Sequence, residues 1–262
     1  MVTIQELYGL SDSFLQVHGV ARKKEFVCGA ELEIEEVRDY SGSTLCDCGI
    51  DITEDGSLRN NGKEFLLAPS YLADSVSKFM FTHQHVSLGN NPFSARTSVH
   101  VHVNCMYSTV EQVRTLLLLY AIFEPLAFAY AGTERKNNIH CMPLNSTYMP
   151  NTYYKPLPDL VEGWHKYTAL NLCPLRELGT VEFRHLGGTA DPIRYQEWLK
   201  FICTLWTAAH EIGSLTKDHL TDLIYLRKLR DQLMAVGFVN NCLERPSYDL
   251  EDNLLDVKLA YI

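Results

Sequence analysis

The stretch "CGAELEIEEV", residues 28–37, alternates glutamates with small or aliphatic residues. Glu31, Glu33 and Glu35 recur at every second position, with apolar residues between them. Because successive side chains of a β-strand point to opposite faces of a sheet, this alternation predicts a strand with three carboxylates on one face. The sequence therefore predicts a sheet with one apolar face and one charged face.

Three other stretches have the same alternation: "SVHVHVN" (98–104), "TVEFRH" (180–185) and "GKEFLLAP" (62–69). Their polar positions hold His100, His102 and Asn104 in the first, Glu182 and Arg184 in the second, and Glu64 in the third. Serine, threonine and lysine, which are common on solvated strand faces, are almost missing from these positions. Four strands thus share an unusual set of polar side chains.

Two interpretations of this shared face follow from the residue types. The simpler one is a set of half-exposed antiparallel strands with water on the polar side. The other is a metal site. Two carboxylates two residues apart on a strand lie about 7 Å from each other, and in a partly buried site they repel by about 2 kcal/mol. Mg²⁺ or Mn²⁺ would relieve this repulsion, so the residue types favour the metal site.

Composition limits the class of protein. The 262-residue chain is 46% hydrophobic, and its net charge of −9 disfavours a broad grip on nucleic acid. Its most apolar segment, residues 115–132, contains Glu124 and Pro125, which favour a core helix over a membrane span. The N-terminus lacks the features of a signal peptide, and eight cysteines fit a reduced, cytoplasmic protein.

The order of elements predicts an α+β fold in a single domain, residues 1–262, with a helical C-terminal section. Helices are expected at 71–86, from a capping box of Ser108 and Glu111 to about Tyr130, and from Pro192 to about 236. Pro125 is expected to kink or split the second of these helices. Residues 143–158 are expected to be irregular.

Two further pairs of metal-binding side chains carry weaker signals. Cys46 and Cys48 form a lone C-x-C, which is more often structural or incidental than a metal site. His83 and His85 form a second H-x-H, and a zinc site that combines them with His100 and His102 is conceivable. Polar or loop histidines remain the simpler interpretation for this pair.

The motifs "GAELEIE", "DGSLRNNGKEFLLAP", "SVHVHVN", "ERKNNIHC", "KYTALNL" and "TVEFRHLGGT" stand in that order along the chain. Together they resemble the amidoligases of bacteriophages, bacteria and fungi, which are distant relatives of glutamine synthetase and glutamate–cysteine ligase. The resemblance covers residues 26–205 as a catalytic core and leaves 206–262 as a helical extension. It implies a curved antiparallel sheet, a half-barrel of the glutamine synthetase type, flanked by helices.

The resemblance also implies roles for individual residues. Those implied to bind metal are Glu31, Glu33, Glu64, His102 and Glu182. Those implied to contact nucleotide phosphates or to act in catalysis are His100, His102, Arg135 and Arg184, with Glu33 as a catalytic metal ligand. Those implied to border the substrate are Asp55, Ser57 and Asn171. Glu35 and Asp55 are the candidates for accepting the amine proton, without further support.

The implied activity is ATP- and Mg²⁺-dependent ligation of a carboxylate to an amine through an acyl phosphate, with Mn²⁺ as an alternative metal. The substrates are expected to be small molecules or peptides, with no nucleic acid or membrane partner, and a homo-oligomer remains open. A phage-encoded member would act in the host cytoplasm. Two alternatives stay open: a metal-dependent hydrolase that uses the H-x-H and glutamate cluster, and a nonenzymatic binding module on the same fold.

Overall fold

The structure is a computed structural model that describes residues 1–144, 155–214, 216, 219, 222–238 and 248–261. Most of the segment expected to be irregular, 143–158, lies outside the described residues. The helical interpretation of the C-terminal section applies to its described parts alone.

The strands are β1 (Val27–Ile34), β2 (Val37–Tyr40), β3 (Ile50–Thr53), β4 (Lys63–Tyr71), β5 (Val86–Leu88), β6 (Ser98–Asn104), β7 (Leu170–Asn171) and β8 (Thr180–Gly187). Six of them form one sheet in the order β3-β4-β1-β6-β8-β7, and β2 pairs with β5 in a small second sheet. Each pair of neighbouring strands is antiparallel. The four predicted strands are all confirmed.

The helices are α1 (Ile4–Tyr8), α2 (Ser13–Val17), α3 (Gly42–Asp47), α4 (Leu72–His85), α5 (Val110–Ala131), α6 (Leu157–Glu162), α7 (Pro192–Ile212), α8 (Leu223–Phe238) and α9 (Leu250–Tyr261). Short 3₁₀ turns span Thr133–Asn137 and Cys173–Leu175. Helices therefore flank an antiparallel sheet, which confirms the α+β class. Within the described residues, the stretch expected to be helical from Pro192 to about 236 contains α7 and α8, and Gly213, with a positive φ of 73°, caps the end of α7.

The apolar face of the sheet forms the core with α4, α5 and α7. Val101 and Phe183 are fully buried on this face, and the ring of Phe183 meets Trp198 of α7 edge to face. Tyr195 of α7 stacks on Phe79 of α4 with ring centroids 4.4 Å apart. The same hydrophobic cluster includes residues from Ile4 to Leu254. Burial of these alternate residues turns the opposite, charged face of the strands away from the core.

Helix α5 is the one described helix that is long and apolar enough to cross a membrane, and 78% of its most apolar window is buried inside the protein. It continues through Pro125, so the expected split does not occur. Glu124 is buried and accepts hydrogen bonds from the Tyr120 hydroxyl and from Leu144 N, the latter at 2.6 Å. These contacts agree with the interpretation of this segment as a core helix.

The start of α5 differs from the expected capping box by one residue. Thr109, not Ser108, is the N-cap: its hydroxyl accepts from Gln112 N at 3.2 Å, and the Gln112 side chain accepts from Thr109 N at 2.8 Å. Ser108 instead lies within 2.8 Å of His210 Nε2 on α7. The Ser108 hydroxyl, which the sequence pattern assigned to the cap, therefore makes a tertiary contact with His210 instead.

We expect Thr109→Ala to lower the free energy of unfolding by about 1 kcal/mol, because it removes the acceptor for an amide at the helix start. Thr109→Ser keeps that acceptor and should stay close to the wild-type protein. Urea unfolding followed by circular dichroism measures both. Equal stability of the alanine and serine variants would contradict this assignment of the cap.

Candidate functional site

The charged face of the sheet brings together side chains from five strands. The strand register places Glu33 opposite Glu64, Glu31 opposite His100, and Glu182 opposite both His102 and Asn171. Cross-strand partners point to the same face, so the predicted metal-binding residues lie side by side across β4, β1, β6 and β8. The pairing register, which the separate strand patterns do not show, creates this cluster.

Glu31 lies at the centre and is hydrogen-bonded to both histidines of the H-x-H strand. Its Oε2 is 3.0 Å from His100 Nδ1 and its Oε1 is 3.0 Å from His102 Nε2. The second nitrogen of each ring is also engaged, by Ser98 Oγ at 2.9 Å for His100 and by Thr180 Oγ1 at 3.1 Å for His102. These contacts hold both imidazoles in one orientation.

Glu182 is buried and is held from two sides. Asn171 Nδ2 donates to its Oε2 at 2.6 Å, and Arg184 Nη1 donates to its Oε1. Asn171 Oδ1 in turn accepts from Cys173 N at 3.0 Å. The structure thus gives Asn171 a positioning contact with Glu182, and its predicted contact with substrate stays a prediction.

Arg184 lies next to a shift of register in β8. Val101 pairs with Phe183 but Val99 pairs with Leu186, so β8 has one extra residue at this point. Such bulges occur near active sites, where they redirect a side chain. The Arg184 guanidinium donates from Nε to the His140 carbonyl at 3.0 Å, and among the described residues its Nη2 has no acceptor. Of the three nitrogens of this guanidinium, Nη2 is therefore the one without a hydrogen bond to the described residues.

A second group of carboxylates lies beside the first. Glu33, Asp55 and Glu64 each offer an oxygen within 4.8 Å of the others, and Glu31, His100 and Glu182 form a similar group. Ser98 Oγ donates to Glu33 Oε2 at 2.5 Å. In the part of the chain that the structure describes, neither Asp55 nor Glu64 forms an ion pair with a basic side chain. Sequence reasoning assigned Asp55 to the substrate and did not identify this group.

The electrostatics differ between the two groups. Burial alone would raise the pKa of Glu31, but hydrogen bonds from His100 and His102 hold it well below its usual range. Burial opposes the charged form of His102, yet its contact with Glu31 raises its pKa. Burial and the neighbouring charges of Glu31 and Glu33 raise the pKa of Glu64 to about 7. The charged form of the Glu64 carboxylate is therefore disfavoured at its position, whereas that of Glu31 is stabilised.

The donor set of the second group suits a hard divalent cation. Three carboxylates supply oxygen ligands, which Mg²⁺ and Mn²⁺ prefer. The pKa of Glu64 is raised first by burial and then by the charges of Glu31 and Glu33. The first group adds an imidazole, which suits Mn²⁺ better than Mg²⁺. The residues present therefore fit the metals that the family resemblance implies.

Arg135 is buried, and its side chain lies beside Gly187 at the end of β8. Its Nε donates to the His185 carbonyl at 2.8 Å and its Nη2 to the Arg184 carbonyl at 2.9 Å. Two of its donors thus support the main chain of β8 at the bulge. Its predicted contact with phosphate or substrate stays a prediction.

The turn expected to border the substrate lies next to the second group. Asp55 Oδ1 accepts from Ser57 N at 2.7 Å, and the Ser57 carbonyl accepts from Arg96 Nη1 at 3.1 Å. Glu35, by contrast, lies beyond the end of β1, where its buried carboxylate accepts from Arg59 N at 3.0 Å. It supports the loop before β4, which corrects the expectation of a third carboxylate in the β1 row.

The structure also places several residues outside the site or behind it. His83 and His85 lie on α4, and Cys46 and Cys48 lie on or next to α3; none joins a group of potential metal ligands among the described residues. Behind β8, Tyr120 bridges Glu124 and His185, with a hydroxyl to His185 Nε2 distance of 3.0 Å. This buried contact joins α5 to the strand that carries Glu182 and Arg184.

Sequence reasoning missed Ser98 and Thr180, which orient the two histidines. Both are ordinary strand residues in the sequence, and their importance follows only from the register that sets them beside the rings. Comparison with models of known protein families found no match, and comparison with curated proteins found none either. The functional interpretation therefore depends on the geometry of the site and on the motifs of the sequence.

Glu64 generates a prediction about pH. In the folded protein the Glu64 carboxyl group keeps its proton up to about pH 7, whereas in the unfolded chain it loses the proton near its ordinary pKa of 4.5. Unfolding in this range releases a proton, so without divalent cations this group makes stability fall as pH rises from about 4.5 to 7. Glu64→Gln should remove that fall and, with solvent screening allowed for, stabilise the protein at pH 8 by on the order of 1 kcal/mol.

The measurement is urea unfolding at a series of pH values in EDTA. Glu162→Gln, which changes an exposed carboxylate at the end of α6, is the matched control and should follow the wild-type curve. A loss of stability in Glu64→Gln at pH 8 would show that the carboxylate is not repelled by its neighbours.

Proposed function

We propose that the protein is an ATP-dependent carboxylate–amine ligase whose reaction centre is the charged face of the sheet. The observation that supports this most is the adjacency of two groups of metal-ligating side chains with Arg184 at their edge. Such an arrangement is suited to phosphoryl transfer, which requires charge neutralisation and alignment more than covalent participation of the protein. In this proposal the sheet is the curved half-barrel of the glutamine synthetase type.

The carboxylate groups have a defined task in this proposal. Glu33, Glu64 and Asp55 would hold one divalent cation, and Glu31, His100 and Glu182 a second. Bound Mg²⁺ supplies charge neutralisation at the phosphate oxygens of the nucleotide. The proposal thereby explains why Asp55 and Glu64 lie beside Glu33 without a basic partner of their own among the described residues.

Arg184 is the proposed contact of the transferred phosphoryl group. Its Nη1 and Nε are held by Glu182 and the His140 carbonyl, and its Nη2 is free to donate among the described residues. A guanidinium held in this way loses little freedom when it binds an oxyanion. Asn171 positions Glu182 and, through it, Arg184.

The nucleotide and the carboxylate are both substrates here. The carboxylate oxygen takes the γ-phosphoryl group of ATP and ADP leaves; the amine then attacks the carbonyl carbon of the acyl phosphate, and phosphate leaves. The turn at Asp55 and Ser57 borders the second group of carboxylates, which places a substrate bound there beside the reacting oxygen. Alignment of the two substrates is the main contribution of this turn.

A zinc hydrolase based on the two histidines is supported less well by the geometry. All four imidazole nitrogens of His100 and His102 are already hydrogen-bonded to Glu31, Ser98 or Thr180. A zinc site with both histidines as ligands needs a free nitrogen on each ring, so both rings would have to lose such contacts. The proposed second cation, held by Glu31, His100 and Glu182, requires such a change of His100 alone. The oxygen-rich group with Asp55 and Glu64 fits Mg²⁺ without any such change.

We expect ADP release only when Mg²⁺, ATP, a carboxylate and an amine are present together. Glu33→Gln and Arg184→Ala should each lower turnover at least about 100-fold, because each removes a charge that acts on the transferred group. A panel of amino acids and short peptides, with ADP detected by a coupled assay, measures this. Glu162→Gln is the control, and wild-type rates in both site variants would refute the proposed centre.

Ligand binding separates the ligase from the alternatives. Mg²⁺ with a nonhydrolysable ATP analogue should raise the melting temperature, because a ligand that binds the native state stabilises it. Tightly held zinc in the purified protein, with no stabilisation by nucleotide, would favour the hydrolase instead. No stabilisation by metal or by nucleotide would favour a nonenzymatic binding module.

A further inference from the structure

A cleft of about 620 Å³ lies between the loop that precedes β6, the 3₁₀ turn Thr133–Asn137 with the residues after it, and the end of β8. This volume is within the range of small-molecule sites. Hydrogen bonds join its walls: Asn138 Nδ2 donates to the Ala95 carbonyl at 3.0 Å, and Gly188 N donates to the Thr97 carbonyl at 3.0 Å. These hydrogen bonds fix the walls of the cleft relative to each other.

The cleft adjoins the charged face of the sheet. Gly187 lines it and pairs with Ser98, whose hydroxyl contacts Glu33 and His100. Paired residues point to the same face, so the cleft borders the charged face at Gly187, beside the Arg135 side chain. A molecule in the cleft would therefore lie next to the edge of the proposed reaction centre.

The lining of the cleft is basic in a protein whose net charge is −9. Arg96, Arg135 and Arg194 line it together with His140, against Glu134 as its acidic residue. Within the described residues, none of these arginines forms an ion pair with a carboxylate. Arg96 is exposed and is anchored by one donor to the Ser57 carbonyl, at 3.1 Å. Arg194 is anchored in the same way to the Ala131 carbonyl, at 2.9 Å.

We propose that this cleft is an anion-binding subsite that holds a charged part of a substrate through Arg96 and Arg194. The inference rests on the proposed function in taking the charged face as the reaction centre. Guanidinium groups that are partly anchored and lack an acidic partner bind phosphate or carboxylate oxygens through charge-assisted hydrogen bonds. The anion is either the polyphosphate of the nucleotide or a second carboxylate of the acyl substrate.

Arg96 also connects the subsite to the turn expected to border the substrate. Its Nη1 donates to the Ser57 carbonyl, and Ser57 N donates to Asp55, which belongs to the second group of carboxylates. A ligand that binds Arg96 is thereby placed next to this turn. Arg96 and Arg194 consequently determine which substrates are accepted, while the carboxylates and Arg184 perform the reaction.

The test is calorimetric titration, in EDTA, of wild-type protein and of Arg96→Gln and Arg194→Gln with inorganic tripolyphosphate and with glutarate. Each substitution should weaken binding of at least one probe about tenfold, the loss expected when one charge-assisted hydrogen bond is removed. Loss confined to tripolyphosphate assigns the subsite to the nucleotide, and loss confined to glutarate assigns it to the acyl substrate. Arg22→Gln, an exposed arginine paired with Glu25, is the matched control.

Circular dichroism confirms that each variant is folded; Arg96 is exposed, so its substitution leaves the core intact. No binding of either probe by the wild-type protein, or equal binding in the wild type and in Arg96→Gln and Arg194→Gln, would overturn the subsite. ADP release is measured on the same samples. If the wild type releases ADP but the arginine variants bind both anions as the wild type does, the subsite is refuted and the ligase is not. If the variants bind an anion more weakly but the wild type releases no ADP, the ligase is refuted and the subsite is not.

Discussion

The repulsion among carboxylates on one face of the sheet is the constraint on which the rest of the molecule depends. Glu31, Glu33, Glu64 and Glu182 come from three different strands and meet because the strand register aligns them. Two histidines and Arg184 compensate the half of the cluster around Glu31 and Glu182. In the other half, Asp55 and Glu64 have no basic partner among the described residues, and a divalent cation would neutralise their charge.

Holding these groups together requires a rigid support, which the opposite face of the same strands provides. Valine and phenylalanine side chains there are completely buried against α4, α5 and α7. The Tyr120 contact with Glu124 and His185 holds β8 from behind, and the contacts of Arg135 with two carbonyls hold the main chain of the same strand. Such buried polar contacts hold a strand in one position, so the charged groups in front stay close in spite of their repulsion.

The sequence predicts much of this arrangement, because a period of two residues separates apolar from charged positions within each strand. The position of β1, β4, β6 and β8 and the polar side chains of each follow from that period alone. The pairing of Glu33 with Glu64 depends on strand register, which no single strand shows. Asp55 reaches the cluster from a loop and Ser98 acts through a neighbouring strand, so their contributions required the three-dimensional structure.

Contacts between distant parts of the chain also explain where the structure differs from the local sequence patterns. The N-cap of α5 is Thr109 and not the predicted Ser108, because the Ser108 hydroxyl contacts His210, about 100 residues away in sequence. Pro125 lies within a helix that continues on both sides because surrounding packing outweighs the local preference. Glu35 does not continue the series of carboxylates on β1, because the chain turns at Glu36, where φ is 52°. In each case a contact or a backbone turn outside the local pattern decided the result.

Mn²⁺ binding to the metal-free protein tests the central claim most directly. Calorimetric titration of the wild-type protein should show saturable binding, and Glu33→Gln and Glu64→Gln should each bind at least about tenfold more weakly, since each removes one carboxylate ligand. Glu162→Gln should bind as the wild type does. No binding by the wild-type protein, or equal binding by all four proteins, would contradict a cation site on the charged face of the sheet.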